Sequence, residues 1–470
     1  MQTLAQLDSG ELLGATKLTL AAGLTTFPKA ILSLADTLEV LDLSGNQLTE
    51  LPTDFARLQQ LKLLFLTNNQ FEHIPAVLAA CPQLEMISFK SNKLKAVATG
   101  SLPITTRWLI LTDNQISSLP ENMGQLHRLQ KLALAGNQLH SLPQSMAQCR
   151  NLELARLSAN QFSEFPDWLF TLPKLAWLAL AGNPLSEDAN SEIKTAQPMQ
   201  TVALADLELG DVIGQGASGV IYSAKWIKQP DSLFGESLNV AVKLFKGEVT
   251  SDGYPRDELA CCLQAGLHPN IIKVVAQINQ ADQLGLVMEL IPRTYANLGL
   301  PPSLETCTRD TFVQGDVIEL QQVLLVLMQM ASAMAHLHDN GVSHGDVYAH
   351  NTMINFQASM LFGDFGAASN LNRLPTMQKE AMESIEVRAL GCLIDDLLVN
   401  RLNSTTEQSA LVAQLAQLSK DCLQPELSLR PRFNDVSAML IEINKSLNKT
   451  LLKNSASRHL AASTVFEVPS

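Results

Sequence analysis

"LEVLDLSGNQLTELP", residues 38–52, decides how the first half of the chain folds. It returns in phase as "LKLLFLTNNQFEHIP" from Leu61, "LEMISFKSNKLKAV" from Leu84 and "LQKLALAGNQLHSLP" from Leu129. The Asn of each copy falls at 46, 69, 92, 114, 137, 160 and 183, steps of 23 broken once by 22. Within one copy Leu41 and Leu43 point to the same side of a short strand, and Asn46 turns the chain while bonding backbone that otherwise lacks a partner. Leu48, Leu51 and Pro52 then close the outer side. A single copy cannot bury its own apolar face, so the copies must stack. "LTLAAGLTTFP", residues 18–28, reads as a degenerate first copy, with Gly23 near the Asn position.

The pattern L-x-x-L-x-L-x-x-N-x-L resembles the leucine-rich repeat, and seven copies in register make the resemblance specific. It implies an α/β solenoid over residues 1–190 with a concave parallel sheet. The strand position before the second core residue reads Val40, Leu63, Met86, Trp108, Lys131, Leu154 and Trp177, and Phe65 and Ile110 lie one strand step further on. An apolar concave surface marks a docking face. The expected occupant is a protein substrate or regulator, or this chain's own second domain.

Composition narrows the rest. The 470 residues are 46% hydrophobic and 17% charged, as in a globular chain, and the net charge of −13 argues against a nucleic-acid partner. Seven cysteines without a C-x-x-C support neither a zinc site nor a disulfide framework, so free thiols in a cytoplasmic setting are expected. The first residues, "MQTLAQLDSGELLG", lack the features of a signal peptide. The most apolar run, "VLLVLMQMASAMAHLH", is broken by Gln and Ser and reads as a buried helix rather than a membrane span. "SEDANSEIKTAQPMQTVALA", residues 186–205, loses the period and reads as a linker, 191–205, or a terminal cap.

Chemistry concentrates in the second half. "IGQGASGVIYSA", residues 213–224, spaces Gly214, Gly216 and Gly219 as G-x-G-x-x-G, and a strand continues beyond it where a dinucleotide-binding fold would start a helix. Glycines there let backbone close over phosphates. "VAVK" ends at Lys243, acids follow at Asp257 and Glu258 in "RDELACCLQ", and "HPNII", "LVMEL", "HGDVYAHN" and "DFG" come in turn. This order resembles the eukaryotic-type protein kinases, over residues 206–451, with 452–470 left as a tail. The expected whole is multidomain: an α/β leucine-rich-repeat solenoid followed by a bilobal α+β protein kinase fold.

The resemblance implies ATP and Mg²⁺ as cofactors and assigns roles residue by residue. Lys243 holds phosphates and pairs with Glu258, with Asp257 as the alternative. Ile221 and Ala241 sandwich the base under the glycine loop, Met288 stands at the back of the pocket, and Glu289 opens the hinge. Asp346 is the catalytic base, and Asn351 and Asp364 are the Mg²⁺ ligands. In "IEVRALGCLIDDLL" Glu386 replaces an Asp, and in "CLQPELSLRPRF" Arg430 is expected to pair with an acid, Glu380 or Glu383, since no A-P-E is present.

Two departures matter. Gly345 stands where an Arg precedes the catalytic Asp, and Tyr348 where a Lys follows it. The H-G-D form is similar to aminoglycoside and choline phosphotransferases, so a small-molecule kinase and a pseudokinase scaffold stand beside the protein kinase reading. Ser/Thr acceptors are favoured on the family's make-up rather than on any residue here. With Gly345 and only 22 positions between Asp364 and Glu386, activity is expected without phosphorylation of Ser369, Thr376 or Ser384.

Overall fold

The computed structural model describes residues 2–463 except 186–198, 217, 247–249, 251 and 281–282, and only the backbone beyond Leu452. A short helix, α1 (Leu4–Asp8), caps eight three-residue strands. These are β1 (Lys17–Thr19), β2 (Val40–Asp42), β3 (Leu63–Phe65), β4 (Met86–Ser88), β5 (Trp108–Ile110), β6 (Lys131–Ala133), β7 (Leu154–Arg156) and β8 (Trp177–Ala179). They pair in parallel, in sequence order, as one sheet. With so few residues left per repeat, the convex side is made of 3₁₀ turns, several opening directly after a Pro such as Pro75, Pro120, Pro143 and Pro166.

The Asn ladder carries the turns. Asn160 donates from Nδ2 to the carbonyls of Leu134, Leu157 and Ser158 at 2.9, 3.0 and 3.2 Å, while its Oδ1 accepts from the Leu139 N–H at 3.0 Å. The residue before each ladder Asn adopts a positive φ, from Gly45 to Gly182, because the strand must bend sharply there. Asn160→Ala strips partners from buried backbone groups and is expected to lower unfolding free energy by about 1–3 kcal/mol, read by urea denaturation. A loss no larger than that of an exposed Gln would contradict this role.

The second domain begins earlier than expected. β9 (Thr201–Val202), from the expected linker, pairs in parallel with β13 (Val274–Gln280) and forms the edge of a six-stranded sheet, β10-β11-β12-β14-β13-β9. The others are β10 (Leu207–Gln215), β11 (Gly219–Trp226), β12 (Asn239–Phe245) and β14 (Gln283–Glu289), and α2 (Pro255–Ala265) packs beside them. Residues 186–198 of the linker or cap reading lie outside the described residues. The large lobe holds α3 (Leu320–Asp339), α4 (Thr376–Asn400), α5 (Ser409–Cys422) and α6 (Phe433–Ser463). α6 runs on to Ser463, so the expected tail starts inside a helix; its last seven residues lie outside the described ones. α3 is long and apolar enough to cross a membrane by composition, but Val323, Leu327, Met330 and Met334 are buried in the lobe, with α6 packed on it.

The two domains share their cores. Leu371, Met382 and Ile385 of the second domain pack into the repeat core, and Leu154, Ala176 and Trp177 pack into the core of the second domain. Polar bonds frame this seam: Arg107 donates to the carbonyls of Leu304 and Glu305, Gln378 to that of Phe165, and Arg388 to that of Lys174. Leu154 and Trp177 are therefore taken by this chain itself, 3% and 1% exposed, and do not await another protein. Met86 is buried too, whereas Val40, Leu63, Phe65, Trp108 and Ile110 stay half-buried, with Lys131 lying over the Trp108 ring.

Candidate active site

A cleft of about 2040 Å³ separates the sheet from the large lobe. Its lining includes Gly214, Gly216, Gly219, Ile221, Ala241, Lys243, Glu258, Met288, Glu289, Asn351 and Asp364. β12 and β14 pair antiparallel with Ala241 opposite Met288, which brings the candidate base-binding residues to one wall. Gly219 is required by close approach: a Cβ there would stand 2.6 Å from the Leu244 carbonyl oxygen.

Lys243 reaches from β12 to Glu258 on α2, and both side chains are buried. Asp364 Oδ1 lies 3.6 Å from the same ammonium. Burial pulls Lys243 down, but Glu258 and Asp364 outweigh it and hold the ammonium above its ordinary value. Burial pushes Glu258 up to about 7, with Lys243 opposing and Asp364 adding to the rise. The geometry thus selects Glu258 over Asp257, whose carboxylate lies where a side chain at Gly182 of the repeats would strike it.

The catalytic loop is held from several sides. His344 is fully buried, bonds the Gly363 carbonyl through Nε2 at 3.0 Å and stacks on Phe362; burial lowers its pKa. Gly345 sits at φ +73°, and a Cβ would meet the carbonyl oxygens of Ala367 at 2.4 Å and Leu178 at 3.0 Å. The positive φ and the two carbonyls, that of Ala367 nearest and that of Leu178 in β8 next, leave no room for a side chain, which is the structural reason that the Arg is absent. The Gly345 N–H donates to Glu386 Oε1 at 2.6 Å, and Glu386 also bonds His338, so the longer acid still anchors the loop. Asp310 accepts from the Ala349 N–H and binds His350 Nδ1, both at 2.6 Å. Burial opposes protonation of His350, yet the Asp310 hydrogen bond and charge raise its pKa.

Asp346 carries two donors. Asn351 Nδ2 bonds its Oδ2 at 2.8 Å and its carbonyl at 3.1 Å, and Arg156 of β7 bonds its Oδ1 at 2.5 Å. Tyr348 faces away from the cleft and stacks on Trp177 with ring centroids 4.5 Å apart and planes 6° apart. It is a packing residue, and burial raises its pKa well above the usual phenol value. Trp177 Nε1 adds a bond to the Val347 carbonyl at 3.1 Å.

The segment after Asp364 is fastened to the repeats. Ser369 is buried and its Oγ accepts from the Leu180 N–H at 2.9 Å. α4 starts at Thr376 and absorbs the stretch where A-P-E was sought. Arg430 pairs with neither Glu380 nor Glu383, contrary to expectation. It bonds the carbonyls of Gln424, Ser384 and, across the seam, Pro173, and burial lowers its pKa to about 10. Glu380 lies 3.9 Å from Arg432 at the surface, and Glu383 accepts from the Phe433 N–H.

Sequence reasoning missed Arg156 and Asp310. The signal for Arg156 was present in the second concave position of each strand, which reads Thr19, Asp42, Phe65, Ser88, Ile110, Ala133, Arg156 and Ala179: one cation in the whole row. Nothing local marks Asp310.

Residues 207–397 match the family model described as protein tyrosine and serine/threonine kinase, and residues 36–96 and 127–185 match a leucine rich repeat model. The chain is similar to cyclin-dependent kinase 11B of Mus musculus, 26% identical over 250 residues that cover 48% of this chain and 29% of that one. It is similar to the probable serine/threonine-protein kinase gdt4 of Dictyostelium discoideum, 26% identical over 38% of this chain and 10% of that one. A third relative is the serine/threonine-protein kinase shk1/pak1 of Schizosaccharomyces pombe, 27% identical over 35% and 23% of the two chains. The chain spans less than a third of the length of these three relatives. With the ladder, the cleft and these matches together, the chain is a leucine-rich repeat protein that carries a domain of the protein tyrosine and serine/threonine kinase family.

Proposed function

We propose that the chain is an ATP- and Mg²⁺-dependent protein kinase that transfers the γ-phosphate to a protein hydroxyl, Ser or Thr in preference to Tyr. The observation that carries this is one cleft lined by the buried Lys243–Glu258 pair, Asp364 and Asn351, with Asp346 hydrogen-bonded to Asn351. The residues suit the ligands. Lys243 is a buried cation beside a glycine loop, fit for phosphate oxygens. Because Asn351 Nδ2 is engaged with Asp346, its amide oxygen remains, with the half-exposed Asp364 carboxylate, for a hard cation that takes its other ligands from phosphate and water. Bound Mg²⁺ would supply neutralisation of the phosphates. Lys243 would hold the nucleotide, and Asp346 would orient the acceptor hydroxyl and accept its proton, so that the barrier falls by positioning and electrostatics.

The relatives named Ser/Thr kinases favour a protein acceptor over a small alcohol, and the assembled Lys243–Glu258 pair favours an active enzyme over a scaffold. The half-buried Val40, Leu63, Phe65, Trp108 and Ile110 are the surface proposed for a protein substrate or regulator. The free thiols support a cytoplasmic setting. Incubating the protein with Mg-[γ-³²P]ATP and a mixture of casein and histones tests the reading. Label on Ser or Thr is expected, with a loss of about 10²-fold or more in Asp364→Asn. Equal labelling by that variant, or transfer to small alcohols alone, refutes it. Phosphatase pretreatment should leave the rate unchanged, since Ser369 is already held by the repeats; complete loss would contradict that.

A further inference from the structure

We propose that Arg156, a residue of the repeat domain, is a positioning residue of the kinase active site, holding Asp346 in place and supplying the cation that the catalytic loop itself lacks; this rests on the kinase reading above. Residues 344–351 contain neither Lys nor Arg, yet Asp346 lies in a site where the Asp364 carboxylate and incoming phosphates gather negative charge. A cation bonded to the carboxylate offsets that gathered charge and fixes its orientation. Arg156 provides it from a position 190 residues away in sequence.

The contact is built into the fold. The Arg156 side chain is 6% exposed and all three guanidinium nitrogens are engaged: Nη2 with Asp346 Oδ1 at 2.5 Å, Nη1 with the Gly345 carbonyl at 3.0 Å and Nε with Asp252 Oδ1 at 2.7 Å. Burying a guanidinium is costly unless it is paired in this manner. Asp252 belongs to the segment leading into α2, so one residue of the repeats ties the small lobe to the catalytic loop. Asp346 keeps capacity for a hydroxyl: each carboxylate oxygen accepts one side-chain donor here and has a second lone pair.

A removable plug on the base is the competing reading, and the surroundings of Arg156 oppose it. Trp177 is locked on Tyr348 and Val347, Leu180 on Ser369, and Leu371 and Ile385 sit in the repeat core, so withdrawing Arg156 means opening a shared core. The Lys243–Glu258 pair is formed at the same time.

Intrinsic ATP hydrolysis and protein labelling by full-length wild type, Arg156→Ala and Arg156→Lys provide the test. Arg156→Ala is expected to lower kcat about 10²-fold, as for a displaced reacting group, while KM for ATP holds. Arg156→Lys should recover part of the rate, and millimolar ethylguanidinium should restore part of it to the Ala variant. An unchanged kcat in Arg156→Ala overturns the proposal, and a raised one does so in favour of the plug. Equal losses in both variants without chemical rescue leave Arg156 a merely structural residue and overturn it as well. If wild type neither hydrolyses ATP nor labels protein, the kinase reading fails by itself, and the positioning claim is judged by amide hydrogen exchange. Arg156→Ala must then speed exchange over residues 344–351 and spare β1–β5; unchanged exchange there overturns it.

Discussion

Asp346→Asn lowers phosphotransfer by about 10²–10⁴-fold, the contribution expected of a positioned general base together with its orienting role. The substitution keeps the shape of the side chain, so the loop is not emptied. What it removes is a proton acceptor and one half of a charge pair. In the native site both carboxylate oxygens face donors, Arg156 on Oδ1 and Asn351 on Oδ2. The amide can present an oxygen to only one of them and turns its own N–H₂ toward the other. Arg156 then retains Asp252 and the Gly345 carbonyl, so the fold survives with a stability loss of about 1–3 kcal/mol. Mg-ATP binding should persist, because Lys243, Glu258 and Asp364 are untouched. Radiolabel transfer and nucleotide binding measured on the same preparation separate these effects. Wild-type labelling by the variant would remove Asp346 from the mechanism.

Trp177→Ala has the largest expected effect on stability. Trp177 is 1% exposed, stacks on Tyr348 and donates to the Val347 carbonyl, so its loss opens a cavity at the seam of both domains. A drop of about 3–5 kcal/mol in unfolding free energy is expected from the cavity alone. Trp177→Phe should recover much of the stacking and still lose the bond to Val347, a cost of about 1–2 kcal/mol. Urea denaturation followed by tryptophan fluorescence and by circular dichroism checks both. Because Leu371, Met382 and Ile385 lie in the repeat core, wild type should unfold in one transition, and the two probes should coincide. A loss under about 1 kcal/mol, within the range of surface substitutions, would mean that the seam is not a core.

Much of this protein is legible from its chain because the relevant physics is local. The Asn ladder follows from a 23-residue spacing that one strand and one turn impose on every copy. Gly214, Gly216, Gly219, Lys243, Asn351 and Asp364 reach one cleft, with Asp346 bonded to Asn351, because each sits at a fixed place on a strand or in a tight loop. Spacing alone could not separate Asp257 from Glu258, since neighbours on α2 point in different directions and the distance to Lys243 decides between them. Arg430 was misjudged for a related reason: three carbonyls, one of them from Pro173, satisfy it where an acid was expected.

By itself the sequence determined two domains, the repeat register and the residues that can meet phosphate and metal, since these depend on contacts made within a few turns of chain. Only the tertiary structure decided that the concave face closes on the chain's own catalytic loop. That contact joins Arg156 to Asp346 and Trp177 to Tyr348 across roughly 170–190 residues, where no local periodicity can specify it. The tertiary structure also explains both departures: the carbonyls of Ala367 and of Leu178 in β8 leave no room for a Cβ at Gly345, and Tyr348 is aromatic because it faces Trp177 rather than phosphate.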